Sequence, residues 1–242
     1  MTGSFNNPNQ LGYYALITTT ILIYLTQKIE VKSVWFILSI ISTTLLIFAS
    51  LSSTAIAAYF LLIMIFIFSR IDNLKLKRNF ILFFIVTVIL ILYLKSQTSF
   101  FENSKMVAGL STRLNTVSAK TERIVTERGY NRIVDHPEYW IFGAGEGEYQ
   151  KRFGVASEFH SLLGNIQVSY GLIGTILFIR VLWLSVKRNI LNKTILFAPI
   201  FIYGITHNSV RSGLFWILLG LFAVDQHEES NSKKIENYKK KE

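Results

Sequence analysis

Two stretches, VWFILSIISTTLLIFAS (34–50) and STAIAAYFLLIMIFIFS (53–69), contain no charged residue and are separated only by Leu51 and Ser52. Each approaches the roughly 20 apolar residues needed to cross a hydrocarbon layer of ~30 Å. Neither alternates with period two, nor shows the single apolar stripe of a soluble surface helix. The solvent these segments expect is therefore lipid. Working outward, Leu11 to Gln27 and Phe80 to Leu94 read the same way on the N-terminal side and beyond, as do Ile166 to Val186, Ile190 to Thr206 and the shorter Ser212 to Val224. Together these are seven candidate helices. The fold class expected is an all-α polytopic membrane protein of about seven transmembrane helices with one long extracytoplasmic loop. Four parts follow: a four-helix membrane part (1–94), the loop (95–165), C-terminal transmembrane helices (166–224) and a cytoplasmic tail (225–242).

Composition agrees. Of the 242 residues 51% are hydrophobic and 17% charged, and the apolar ones come in blocks. There is no cysteine, which excludes disulfides, thiolate metal sites and a cysteine nucleophile. Met1 to Gln10 carries no charge and so lacks the basic start of a secretory leader. The formal charge of +10 is spread over the connections, where membrane topology is its ordinary cause, and no nucleic-acid partner is expected.

The basic residues also give an orientation. Lys28, Lys32, Arg70, Lys75, Lys77, Arg78, Lys187, Arg188 and Lys193 sit in alternate connections, which makes those connections and the tail Lys233 to Lys241 cytoplasmic. The loop from Lys95 to Asn165 then lies outside; its own basic residues do not oppose this, because loops beyond ~60 residues are translocated largely regardless of charge. The same orientation places Met1 to Gln10, Ser50 to Ser53 and His207 to Arg211 on the outer face. Arg180, inside the fifth span, reads as a side chain snorkelling to the cytoplasmic surface. Pro199 predicts a kink in the sixth span.

Within the loop, charge is divided: the part from Lys105 to Arg132 is mainly basic and the part from Asp135 to Glu158 mainly acidic. Thr121 to Val134 has helical spacing, with Arg123 and Glu127 four residues apart and Arg128 and Arg132 sharing a face. Two guanidinium forks side by side suit a phosphate or diphosphate. An amphipathic helix lying on anionic headgroups explains the same spacing. His136 and Pro137 lead into Gly143, Ala144, Gly145, Glu146, Gly147, whose alternate glycines read as a tight turn, since no strand precedes them and no Gly-Lys-Ser follows. His160, beside Glu158 at the mouth of the fifth span, could act as a general base oriented by the carboxylate, or be an interfacial polar residue. His207, with Asn208 and Arg211, has the same two readings. No ligand spacing marks His160, His207 and Glu158 as a metal site.

The strings YWIFGAGEGEYQ (139–150), EFHSLL (158–163) and YGLIG (170–174) resemble the outer loop and following helix of the O-antigen ligase and O-antigen polymerase family, whose pattern runs PxxGxGxGxF, then HN, then GxxG. GSFNNPNQLGYYA (3–15) resembles a second family pattern, GxFxNPNxxA, at the start of a span. The resemblance implies a GT-C-like, metal-independent membrane glycosyltransferase without cofactor, acting on an undecaprenyl-diphosphate-linked oligosaccharide at the outer face. The activity implied is that of a surface-polysaccharide polymerase, for capsule, exopolysaccharide or O-antigen, with a flippase and a chain-length regulator as further partners. Alternatives are ligase-type transfer to a different acceptor, a non-catalytic export component and a truncated remnant. By the same resemblance His160 would activate the acceptor hydroxyl, Glu158 would stand beside it, and Arg128 and Arg132 would stabilise the leaving diphosphate. Ser161 replaces the usual asparagine, and the arginine that often follows the serine at the position of Ser53 is missing. Family members are about twice as long, so the chain corresponds to their C-terminal half.

Overall fold

The computed structural model describes residues 5, 7–71, 73, 75, 76, 78, 79, 82, 130–154 and 159–224. The expected fourth span, Arg128, Glu158 and the tail lie outside these residues. Among the described residues there is no strand. The helices are α1 (Pro8–Leu25), α2 (Ser33–Ser50), α3 (Ser53–Arg70), α4 (Asn131–Asp135), α5 (Tyr149–Phe153), α6 (Leu162–Val186), α7 (Ile190–Thr206) and α8 (Gly213–Val224). Three of them, α2, α3 and α6, are long and apolar enough to cross a membrane, and α7 and α8 are shorter apolar helices. The chain is thus a helical, membrane-associated protein. It divides into two compact units, one of residues 1–16 and 30–121 and the other of residues 17–29 and 122–242.

In the first unit α2 and α3 form a tight hairpin. Leu51 takes the left-handed conformation that ends α2 (φ 49°), and only Leu51 and Ser52 separate α2 from α3. The polar residues within these apolar helices are satisfied locally. Ser39, Ser42, Thr43 and Thr44 donate to carbonyls one turn back, and the Tyr59 hydroxyl meets that of Thr44 at 2.7 Å. This is what a segment without water requires of its hydroxyls. Gly12 of α1 faces the hairpin turn so closely that a Cβ there would stand 2.7 Å from that of Ala55.

In the second unit α6 is broken. Gly171 has φ 64° and ψ −163°, outside the helical region, and the hydrogen-bond ladder opens around it. In an unbroken helix the amides of Leu172 and Ile173 would donate to Val168 and Ser169. Here Leu172 and Ile173 donate instead to the carbonyls of Trp140 (2.6 Å) and Ile141 (3.3 Å). The carbonyls of Val168 and Ser169 accept from Ala144 (2.7 Å) and Gly145 (3.0 Å). The loop is thereby spliced into the ladder: these two amides and two carbonyls are all met by backbone groups of one short segment, 140–145. Gln167 braces the junction, donating to the Trp140 carbonyl (3.1 Å) and accepting from Thr175 (2.8 Å).

Helix α6 starts earlier than hydropathy alone places it, because Ser161 caps it: its Oγ accepts from the Gly164 amide at 3.1 Å. Helix α7 runs on through Pro199. Lys193, read from sequence among the cytoplasmic loop cations, lies inside α7 instead and is buried; its Nζ donates to the Phe222 carbonyl at 2.7 Å. That carbonyl belongs to the last turn of α8, where helix carbonyls have no internal partner and where the helix dipole favours a cation.

Candidate functional site

The N-terminus of α6 decides where His160 stands. The backbone is extended just before the helix, so successive side chains point to opposite sides, and Phe159 and Ser161 are fully buried while His160 between them is exposed. Serine and asparagine are comparably good N-caps, so Ser161 fills the capping role that an asparagine would fill at the same place.

Arg132 reaches the same region from α4. Its guanidinium carbon lies 5.0 Å from the centre of the Phe159 ring, a cation–π contact with the residue preceding His160. Helix α4 is itself anchored just before its start, where the Tyr130 hydroxyl donates to the Ile205 carbonyl (2.8 Å) in the last turn of α7. The Tyr130 and Phe159 rings close over Gly164, where an added Cβ would be 3.3 Å from each. Of the four residues expected at the site, then, Arg132 touches the residue preceding His160, whose own side chain points to the other side of the extended backbone. Arg128 and Glu158 lie outside the described residues.

His207 does not join them as a twin of His160. Its ring stacks on Tyr203 (4.4 Å between centroids) and its Nδ1 pairs with the Thr206 hydroxyl at 2.8 Å. Beside it, both amide atoms of Asn208 and the Ser209 hydroxyl are buried without a hydrogen-bond partner, a desolvation cost of about 1–3 kcal/mol for each unmet group. Arg211, in the following turn, instead pairs with Glu146 of the loop (3.6 Å), and Glu146 also accepts from the Tyr170 hydroxyl. The glycine segment expected as a tight turn has positive φ at Gly143, Gly145 and Gly147, and it serves as the part of the loop that splices into α6.

One arrangement is absent from the sequence reading. His136 Nδ1 is 3.0 Å from Glu138 Oε1, and the imidazole packs edge-on against Phe153 (4.8 Å). Glu138 is held below the usual carboxylate range, first by its own backbone amide and then by His136. Arg132, His136, Tyr139, Phe153 and Gln167 line one small cleft. The only signal for this in the sequence is a histidine and a glutamate two residues apart around Pro137, a spacing that the 3-10 turn at Pro137–Tyr139 folds into contact. Among the described residues no group of three His, Asp or Glu side chains converges as a metal site would need.

No protein-family model, no curated protein and no solved structure matches the chain.

Proposed function

We propose that the chain is a membrane glycosyltransferase of the polysaccharide-polymerase kind, acting at the outer face on a glycan linked to undecaprenyl diphosphate. The observation that carries this reading is the placement of the Arg132 guanidinium on the ring of Phe159, next in sequence to the exposed His160. The resemblance of segments 139–150, 158–163 and 170–174 to the ligase and polymerase pattern supports the choice of substrate. In this reading His160 takes the proton of an acceptor sugar hydroxyl, and the oxygen attacks the anomeric carbon of the donor. The bond from that carbon to the diphosphate breaks, and the lipid diphosphate leaves with its charge stabilised by Arg132. The cation–π contact holds the guanidinium beside Phe159. The seven-span topology, with an outer loop and an inner tail, belongs to the same proposal.

A second assignment of the base is favoured by one observation: His136 is already oriented by a carboxylate and shares a cleft with Arg132. Complementation of a polymerase-deficient strain separates the two. His160→Ala should abolish high-molecular-weight glycan with membrane insertion intact, whereas His136→Ala should leave it within a few-fold. The reverse pattern would move the base to His136. Normal glycan from both variants and from Arg132→Ala would sink the transferase reading.

A further inference from the structure

Helix α6 consists of two helical pieces joined across the break at Gly171, and as a whole it is long and apolar enough to cross a membrane. The two pieces differ in what surrounds them. Before Gly171 the helix is largely buried in protein, with Asn165 and Ser169 among its buried residues. Tyr170, the last residue of this half, reaches the Glu146–Arg211 ion pair. After Gly171 the helix exposes Leu172, Ile173, Ile176 and Leu177, and no charge appears before Arg180. The break thus falls where helix buried in protein gives way to helix with an exposed apolar flank.

The loop segment spliced in at that level is itself apolar and exposed. Trp140 is 49%, Ile141 55% and Phe142 78% exposed, and two of the three are hydrogen-bonded directly to Leu172 and Ile173. A side chain as apolar as Phe142 standing that far out in water is unfavourable, whereas in lipid it is ordinary. Two further features fit a hydrocarbon surrounding. Backbone can enter lipid only when its polar groups are met, and the splice meets those of the break. The Trp140 indole N–H is also satisfied, by the Ile133 carbonyl, and tryptophan favours the membrane–water boundary.

We propose that Trp140, Ile141 and Phe142 are seated in the bilayer, with Ile141 and Phe142 among the acyl chains beside Leu172 and Ile173 and Trp140 at their upper edge. The occupant of the patch is bilayer lipid, because the patch continues the exposed apolar flank of a helix long and apolar enough to cross a membrane. The loop is consequently not a free aqueous flap. It is held at the depth where a lipid-linked substrate would present its headgroup. This inference rests on α6 and the splice alone, and it stands or falls independently of the transferase reading.

The absence of native cysteine allows a direct test. Phe142→Cys, Ile141→Cys, Ile176→Cys and Lys151→Cys would each carry a nitroxide spin label, in the full chain reconstituted into vesicles of dioleoylphosphatidylcholine with dioleoylphosphatidylglycerol. Collision rates with oxygen, which partitions into lipid, and with a water-soluble nickel chelate give the depth. The labels at 142 and 141 should rank with that at 176, favouring oxygen several-fold over the label at 151. If both rank with 151, the proposal is overturned. Broadening between labels that persists as protein is diluted in lipid would assign the patch to a second copy of the chain, and would overturn it equally.

Discussion

A Cβ added to Gly171 would stand 2.6 Å from the backbone nitrogen of Gly143, and one added to Gly143 would stand 2.5 Å from the nitrogen of Tyr170. Loop and helix meet only because neither residue has a side chain. This double requirement explains why a glycine lies on each side of the splice, one in the turn and one in the span.

Gly171→Ala should separate the loop from α6. A non-glycine residue in that conformation costs about 1–3 kcal/mol before any clash is counted, and the clash here is with backbone, which cannot swing aside. Thermal unfolding in detergent should fall accordingly. Hydrogen exchange locates the effect: Ala144 and Gly145 should lose protection, while Leu172 and Ile173 keep it by returning to Val168 and Ser169. Unchanged protection at Ala144 and Gly145 would contradict the splice.

Lys193→Met keeps the volume and removes the charge that ends α8. A hydrogen bond from a charged donor contributes about 1.5–3 kcal/mol, so a loss of that size is expected in denaturant or thermal unfolding. Tyr24→Phe, which removes a longer contact (3.4 Å) to the neighbouring Leu221 carbonyl, should cost less. Equal effects of the two substitutions would mean that charge at this helix end is not what matters.

Glu138 titrates below its unfolded counterpart, so its contact with His136 adds stability above the ordinary glutamate range and loses it as pH falls through the folded value. Carbon-detected NMR of the carboxyl should show the depressed midpoint. His136→Ala should raise it only part of the way, because the residue's own backbone amide is the larger cause. A midpoint fully restored to the ordinary range would give His136 the whole effect and overturn that ordering.

Much of the helical content was legible along the chain. The apolar blocks at 34–50, 53–69 and 190–206 became α2, α3 and α7 with nearly the bounds that hydropathy places on them, since apolar length is a local property. Of the helical spacing read over Thr121 to Val134, residues 121–129 lie outside the described residues, and Arg132 stands in the short helix Asn131–Asp135. The contact of Arg132 with Phe159 was not legible. Its partner lies 27 residues away, and nothing in either local pattern specifies which ring an arginine will find.

Apolar length and charge placement along the chain are enough to read a helical membrane protein with a charged, glycine-bearing loop before the apolar run at 166–186. Tertiary structure alone decided that α6 is broken at Gly171, that the loop completes its ladder, and that Lys193 meets the Phe222 carbonyl at the end of α8. The reason is common to all three. An opened ladder and an unmet carbonyl are tolerable only when a distant segment supplies the missing partner, and such pairing is a property of the packed chain, not of any window along it.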